Sequence, residues 1–187
     1  SFIETERLAP FNVRGLDVDV MLDLMIHDLD LVLCIKGMGV KEVHAVGIRV
    51  LSETIDLANA RLVFEDGCVA NLTASRISNK VVRKLRIFNK KTYSSVNLHT
   101  HSINQYLVAN KAPIQKEPLQ SVVSRKNKFL INKKQILPKQ NALYEELVAF
   151  ITSIQQEQTT IVDANAGKEA IKLALLIQKK INEHKKK

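Results

Sequence analysis

The chain has 187 residues, 45% hydrophobic and 25% charged, enough for a domain that needs no disulfide or metal to stay folded, and a composition that excludes wholesale disorder. Its net charge of +9 is uneven: residues 1–77 hold 7 Lys or Arg against 12 Asp or Glu (−5), and residues 78–187 hold 21 against 7 (+14). No apolar run approaches the roughly 20 residues that a membrane-spanning helix needs, so a soluble, cytoplasmic protein without a membrane partner is expected.

The chain opens Ser1-Phe2-Ile3, without methionine and already strand-like, which predicts a cut fragment or an engineered domain. Between Asp17 and Lys36, Val18, Met21, Leu22, Met25, Ile26, Leu29, Val32 and Leu33 recur at three and four. That is the helical period, and it predicts one long helix over about 17–36, stopped by Gly37 and Gly39. The rhythm then changes to alternation. Val43, Ala45 and Gly47, then Ile48 and Val50, predict a strand with an irregularity at Gly47. Ala58–Phe64 and Cys68–Ala74 predict two more, joined by Asp66-Gly67 as a tight two-residue hairpin.

Further strands are expected near Val81–Phe88, Tyr93–Leu98, Ser102–Ala109 and Ser121–Ile131. Helical spacing returns at Leu143, Leu147, Phe150, Ile151 and Ile154. A last helix carries Ala166, Ala170, Leu173, Ala174 and Ile177, with Asp163 or Asn165 as its N-cap. The expectation is one domain over 1–187: the long helix, a sheet over about 41–131, and helices over about 141–156 and 164–184. Strands in a run, flanked by helices, make it α+β with a mostly antiparallel sheet. Cys34 and Cys68 sit among apolar neighbours and are expected as small core residues. Two cysteines are too few for a structural metal site, so no metal is expected.

The long helix carries a second stripe. Asp19, Asp23, His27 and Asp30 are spaced four, four and three, on one face. A His with a carboxylate one turn away on each side is suited to proton transfer, because the carboxylate orients the imidazole and favours its charged form. The same spacing also fits a solvated acidic face with an ordinary salt-bridged His, or a metal site completed from elsewhere. Arg7 and Arg14 precede the helix; planar guanidinium groups suit bidentate phosphate recognition, or pair with neighbouring acids. Asn71, Thr73 and Ser75 alternate onto one strand face, able to meet substrate or another subunit. His99 and His101, two apart in an expected strand, would point the same way.

The stretch Glu6-Arg7-Leu8-Ala9-Pro10-Phe11, then Arg14-Gly15, then Asp17 to Asp30, resembles the start of the second domain of the Gfo/Idh/MocA oxidoreductases. The run Asp56–Leu62 and Gly67–Arg76 extends the likeness, most closely to a bacterial branch acting on nucleotide sugars such as UDP-N-acetylglucosamine. The resemblance implies an open sheet of about six strands, helices on one face, the other packed on a partner subunit. It implies Asp23 and His27 as the catalytic pair, with His27 relaying the proton of a sugar hydroxyl while hydride passes to a nicotinamide. Asp23 would orient His27 or share in substrate contact, and Arg7, Arg14 and Asp19 would contact substrate. The implied cofactor, NAD or NADP, would be held mainly by a first domain that this chain lacks, together with that domain's Glu-Lys-Pro lysine. The fragment alone is therefore expected to be inactive.

The implied partners are a sugar or nucleotide-sugar substrate and further copies of the chain in a dimer or tetramer formed through the sheet. The rival reading is a non-catalytic binding module, for nucleic acid or a protein, resting on Arg83, Lys84, Arg86, Lys90, Lys91 and the basic tail. Its weakness for nucleic acid is the aromatic content, 5% with no Trp, because sheet-based binders stack bases on exposed rings. No nucleic-acid partner is expected.

Overall fold

A computed structural model describes residues 1–13, 15, 17–37, 39–111, 120–125 and 128–184. Nine strands form one sheet: β1 (Phe2–Leu8), β2 (Val40–Ile48), β3 (Leu57–Phe64), β4 (Val69–Ser75), β5 (Val82–Phe88), β6 (Thr92–Asn97), β7 (Ser102–Ala109), β8 (Gln120–Arg125) and β9 (Lys128–Ile136). Their order is β2-β3-β4-β1-β5-β6-β7-β9-β8. β1 lies parallel to β4, and every other neighbouring pair is antiparallel. The architecture is α+β, and the sheet is half as large again as the six strands expected. The six follow from the family resemblance, whereas the alternation along the chain marks seven strands, and two differences bring seven to nine. The opening segment inserts between β4 and β5, and the stretch read as a single strand over 121–131 is a hairpin, β8 and β9.

The long helix is also built differently. Residues Met21–Met25 form a π-helical turn, and regular α-helix α1 runs Ile26–Lys36. The Ile26 N–H reaches back five residues to the Met21 carbonyl. Gly37 ends α1 at φ +73°, its N–H on the Leu33 carbonyl at 2.6 Å, a conformation that favours glycine. Two further helices follow, α2 (Ala142–Gln155) and α3 (Ala164–His184). Asn141 caps α2 through Tyr144 N–H, and Asp163, one of the two anticipated caps, accepts from Ala166 N–H at 2.8 Å.

The core lies between the sheet and a layer made of the π turn, α1 and α3. Met21, Met25, Leu29 and Val32 meet Leu173, Ala174, Ile177 and Ile181 over Ala58, Ala60, Leu62, Ala70, Leu72 and Ala74. Alanine on the strands lets the helices sit close to the sheet. The expected apolar stripe is this contact, with Ile35 left 44% exposed. The apolar residues of α2 remain largely exposed, Leu143, Phe150 and Ile154 among them. No helix among the described residues is long and apolar enough to cross a membrane.

The Asp66-Gly67 hairpin departs from the two-residue turn. Only Gly67 takes positive φ, +78°, and the Phe64 N–H pairs with the Cys68 carbonyl at 2.8 Å. The loop is therefore longer, with the single left-handed position at Gly67. Cys68 is buried as expected, whereas Cys34 is exposed, because the helix stripe that meets the core turns away before it.

Candidate functional site

Burial alternates along β1, with Ile3, Thr5 and Arg7 turned under the helices. The Arg7 guanidinium meets Asp28 of α1 in two bonds, Nε to Oδ2 at 3.0 Å and Nη2 to Oδ1 at 2.7 Å. Both side chains are nearly inaccessible. Asp28 follows His27 directly, about 100° round the helix. Drawing Asp28 inward leaves His27 exposed, on the wall of a cavity of about 540 Å³.

The helix side of that cavity carries His27 and Asp30, with Arg7 at its base; the sheet side carries Arg83, Asn97 and His101. Its size suits a small molecule. His99 and His101 do not share a strand. They lie in the turn between β6 and β7, where Asn97 Oδ1 accepts the N–H groups of His99 and Thr100 at 3.0 Å each. His101 takes φ +51°, uncommon for a residue with a side chain. Among the described residues no three His, Cys, Asp or Glu side chains stand together as a metal site.

Asp23 lies in the π turn, four residues before His27 and beside Gly15, with its Oδ2 4.0 Å from Arg76 Nη1. No hydrogen bond among the described residues joins Asp23 to His27. A wide π turn just ahead of the His shifts the two off the line that 3.6-residue spacing would give, and such turns are frequent at functional sites. Both oxygens of Asp19 are engaged within the fold: Oδ1 accepts Ile55 N–H at 2.6 Å, and Oδ2 accepts the Gln178 amide of α3. Arg14 lies outside the described residues.

The segment leading into the helix is held by a buried cluster that sequence reasoning did not single out. Arg76, at the end of β4, donates from Nε to Asp56 Oδ1 at 2.9 Å and from Nη1 to the carbonyls of Gly15 and Val18 at 2.9 Å each. Its Nη2 reaches the hydroxyls of Ser52 and Thr54. Asp56 also accepts from the Ser52 hydroxyl and from the N–H groups of Val50, Leu51 and Ser52. Burial works to raise the Asp56 pKa, but the Ser52 hydroxyl, these backbone donors and Arg76 overcome it and hold the carboxyl well below the usual range. No spacing rule links Asp56 to Arg76; only the strand pairing brings them together.

Among the described residues no helix packs on the opposite face of the sheet. Strand registers place Phe2, Phe88, Tyr93 and Tyr106 side by side across β1, β5, β6 and β7. Their ring centroids lie 5.6, 4.5 and 5.2 Å apart in turn. Asn71 and Thr73 lie on this face too, bonded to Arg61 and Asn59, whereas Ser75 is buried.

Comparison with known proteins bears on this arrangement. Residues 10–92 match the family model described as the GFO/IDH/MocA C-terminal domain. The chain is 33% identical over 182 residues to a UDP-N-acetylglucosamine 3-dehydrogenase of Acidithiobacillus ferrooxidans, covering 95% of this chain and 53% of that protein. The solved structure of the Acidithiobacillus ferrooxidans enzyme superposes with a TM-score of 0.82 over 96% of this chain and 54% of that one. A scyllo-inositol dehydrogenase from Lactobacillus casei, solved with NAD(H) and scyllo-inositol, shares the fold at 19% identity, with a TM-score of 0.66 over 98% of this chain and 55% of its own. The chain spans about half the length of the curated relatives it matches.

Proposed function

The chain carries a C-terminal domain of the Gfo/Idh/MocA type, and from that premise we propose that it is the substrate-binding and oligomerisation half of an NAD(P)-dependent sugar oxidoreductase. His27 is the proposed acid/base. The observation that carries this reading is the position of His27: exposed on a cavity wall, on a helix anchored by the buried Arg7–Asp28 pair. The matched family segment contains both His27 and Asp23.

In the proposed reaction the His27 imidazole takes the proton of a sugar hydroxyl as the adjacent C–H bond gives hydride to a nicotinamide. Nothing in this chain's sequence forms a glycine-rich dinucleotide turn, since none of its six glycines falls in a G-x-G-x-x-G pattern. NAD or NADP is the proposed cofactor, held mainly by residues outside this chain. What this chain supplies is a fixed proton acceptor, a walled cavity for the sugar and, through Asp23, a carboxylate near the His27 turn. Arg7 and Asp19 support the site by holding its helix, Arg7 to Asp28 and Asp19 to β3's approach and α3. Arg14 keeps its proposed role at the substrate.

A UDP-N-acetylhexosamine is the proposed substrate, on the likeness to the Acidithiobacillus ferrooxidans dehydrogenase. Further copies of the chain are the proposed cover for the helix-free sheet face, and the cytoplasm the proposed compartment. The deciding experiment is His27→Ala in the longer protein, assayed with the nucleotide sugar and NAD or NADP. Turnover should fall about a hundred- to ten-thousand-fold. Retained turnover would remove His27 from the reaction.

A further inference from the structure

Arg7 and Arg83 are direct partners across β1 and β5, so their side chains share the face beneath the helices. Two like charges directly opposite in a sheet repel. Asp28 neutralises one of them, and both of its oxygens are used on Arg7. Arg83 keeps its charge without such a partner: among the described residues no hydrogen bond or ion pair engages its guanidinium, and the residue lines the same cavity as His27. The wall around it is fixed by backbone bonds. The Arg83 carbonyl accepts Leu98 N–H at 2.8 Å, and the His101 carbonyl accepts Leu137 N–H at 2.7 Å.

We propose that Arg83, with the His101 ring on the same wall, is the anion-binding end of the cavity and takes the diphosphate of a nucleotide-sugar substrate. The cavity then has two chemically distinct sides. On α1, His27 and Asp30 face the sugar ring, where a proton acceptor and a hydroxyl-binding carboxylate are needed. On the sheet, Arg83 offers a planar fork of donors matched to phosphate oxygens, and His101 offers ring nitrogens from a backbone conformation that side chains rarely adopt. This inference rests on the oxidoreductase reading only for the substrate's class. The missing counter-charge at Arg83 is a feature of this chain by itself.

The test is equilibrium binding of UDP to the full-length protein, without cofactor, for wild type, R83Q, R83K and H27A. Wild type should bind UDP, and R83Q should weaken it about 10- to 100-fold, the worth of a hydrogen bond to a charged group. R83K should fall between them, because a point charge keeps the attraction and loses the fork. The R83Q affinity should also depend less steeply on salt. UDP affinity in R83Q within two-fold of wild type overturns the assignment, and so does a wild type that does not bind UDP. If R83Q unfolds, R83K decides: unchanged affinity there overturns the assignment. H27A separates the two readings, since it should keep UDP affinity while losing turnover. An H27A protein that turns over normally would remove the acid/base role and leave the Arg83 site standing.

Discussion

Arg7 and Asp28 form the buried two-bond ion pair that ties the opening strand to the helix bearing His27. Its energetic sign is conditional. Formed, a buried pair contributes little net stability, because desolvating both charges offsets their attraction; broken from one side, it leaves a buried charge with no partner. Arg7→Met and Asp28→Asn should therefore each cost about 3–5 kcal/mol, read from urea unfolding. The double variant Arg7→Met/Asp28→Leu should cost less than either single change. A double-variant cost equal to the sum of the two single costs would mean that the pair is not coupled as the geometry states.

The Arg76–Asp56 cluster sets an acid limit. The folded carboxyl of Asp56 has its pKa lowered, so the unfolded chain binds this proton more readily than the folded one. Its contribution is then fully present above the unfolded value, about 3.9, and is lost as pH falls from there toward the lower folded value. Unfolding midpoints measured between pH 7 and pH 2.5 should hold steady and then drop below about pH 4. Asp56→Asn should be less stable throughout and should lose part of that drop. Asp66 is lowered as well, by its hydrogen bond from Lys36, but it sits in solvent and adds little. An acid profile identical in Asp56→Asn would show that other carboxylates set the limit.

The local rules reached the helix stripe and most strands because those depend on neighbours along the chain. Met21, Met25, Leu29 and Val32 announce a buried face, and Asp163 announces a cap. The approach to the site depends on distant partners and was not legible. Residues 2–8 alternate Ile3, Thr5, Arg7 on the buried side, a pattern whose charged member, Arg7, makes sense only once Asp28 lies over it. The π turn widens one step of a helix that the apolar spacing draws as regular. The Arg76 cluster joins positions up to 61 residues apart, and no pattern in either segment points to the other. His27 itself was legible as a His among carboxylates; that it opens onto Arg83 and His101 follows from strand order.

Gly47 marks a close approach of α3 to the sheet. A Cβ built there would lie 2.9 Å from Ile181 Cδ1, 2.9 Å from Ile55 Cγ2 and 3.3 Å from Ile181 Cγ2. The end of Ile181 can swing aside, but the Ile55 methyl sits on a stiff β-branched carbon. Gly47→Ala should therefore destabilise by about 1–3 kcal/mol through overpacking, outweighing any gain from a less flexible unfolded chain. Chemical denaturation would check it. A variant as stable as wild type would mean that α3 shifts freely on β2, which would also loosen the Gln178 contact to Asp19.

The helix-free face gives the last prediction. Registers put Val108, Leu130 and Val123 on that face across β7, β9 and β8, with Val46 and Ile48 on it at the opposite edge. All five are at least 40% exposed. Apolar side chains distributed over a sheet face with a stacked aromatic row at its middle favour burial against an equally flat surface. A second copy of the chain offers the same surface about a two-fold axis, the commonest way a subunit covers itself. Val108→Glu places a charge in the proposed contact without touching the core, since Val108 is already 41% exposed. Sedimentation equilibrium of the full-length protein should find wild type self-associated at micromolar concentration. Val108→Glu should shift it toward monomer, with the unfolding free energy of the isolated subunit changed by no more than about 0.5 kcal/mol. A monomeric wild type would overturn the proposed assembly. A Val108→Glu protein that associates as tightly as wild type would place the contact elsewhere, because a buried, unpaired carboxylate at its centre could not be accommodated without cost.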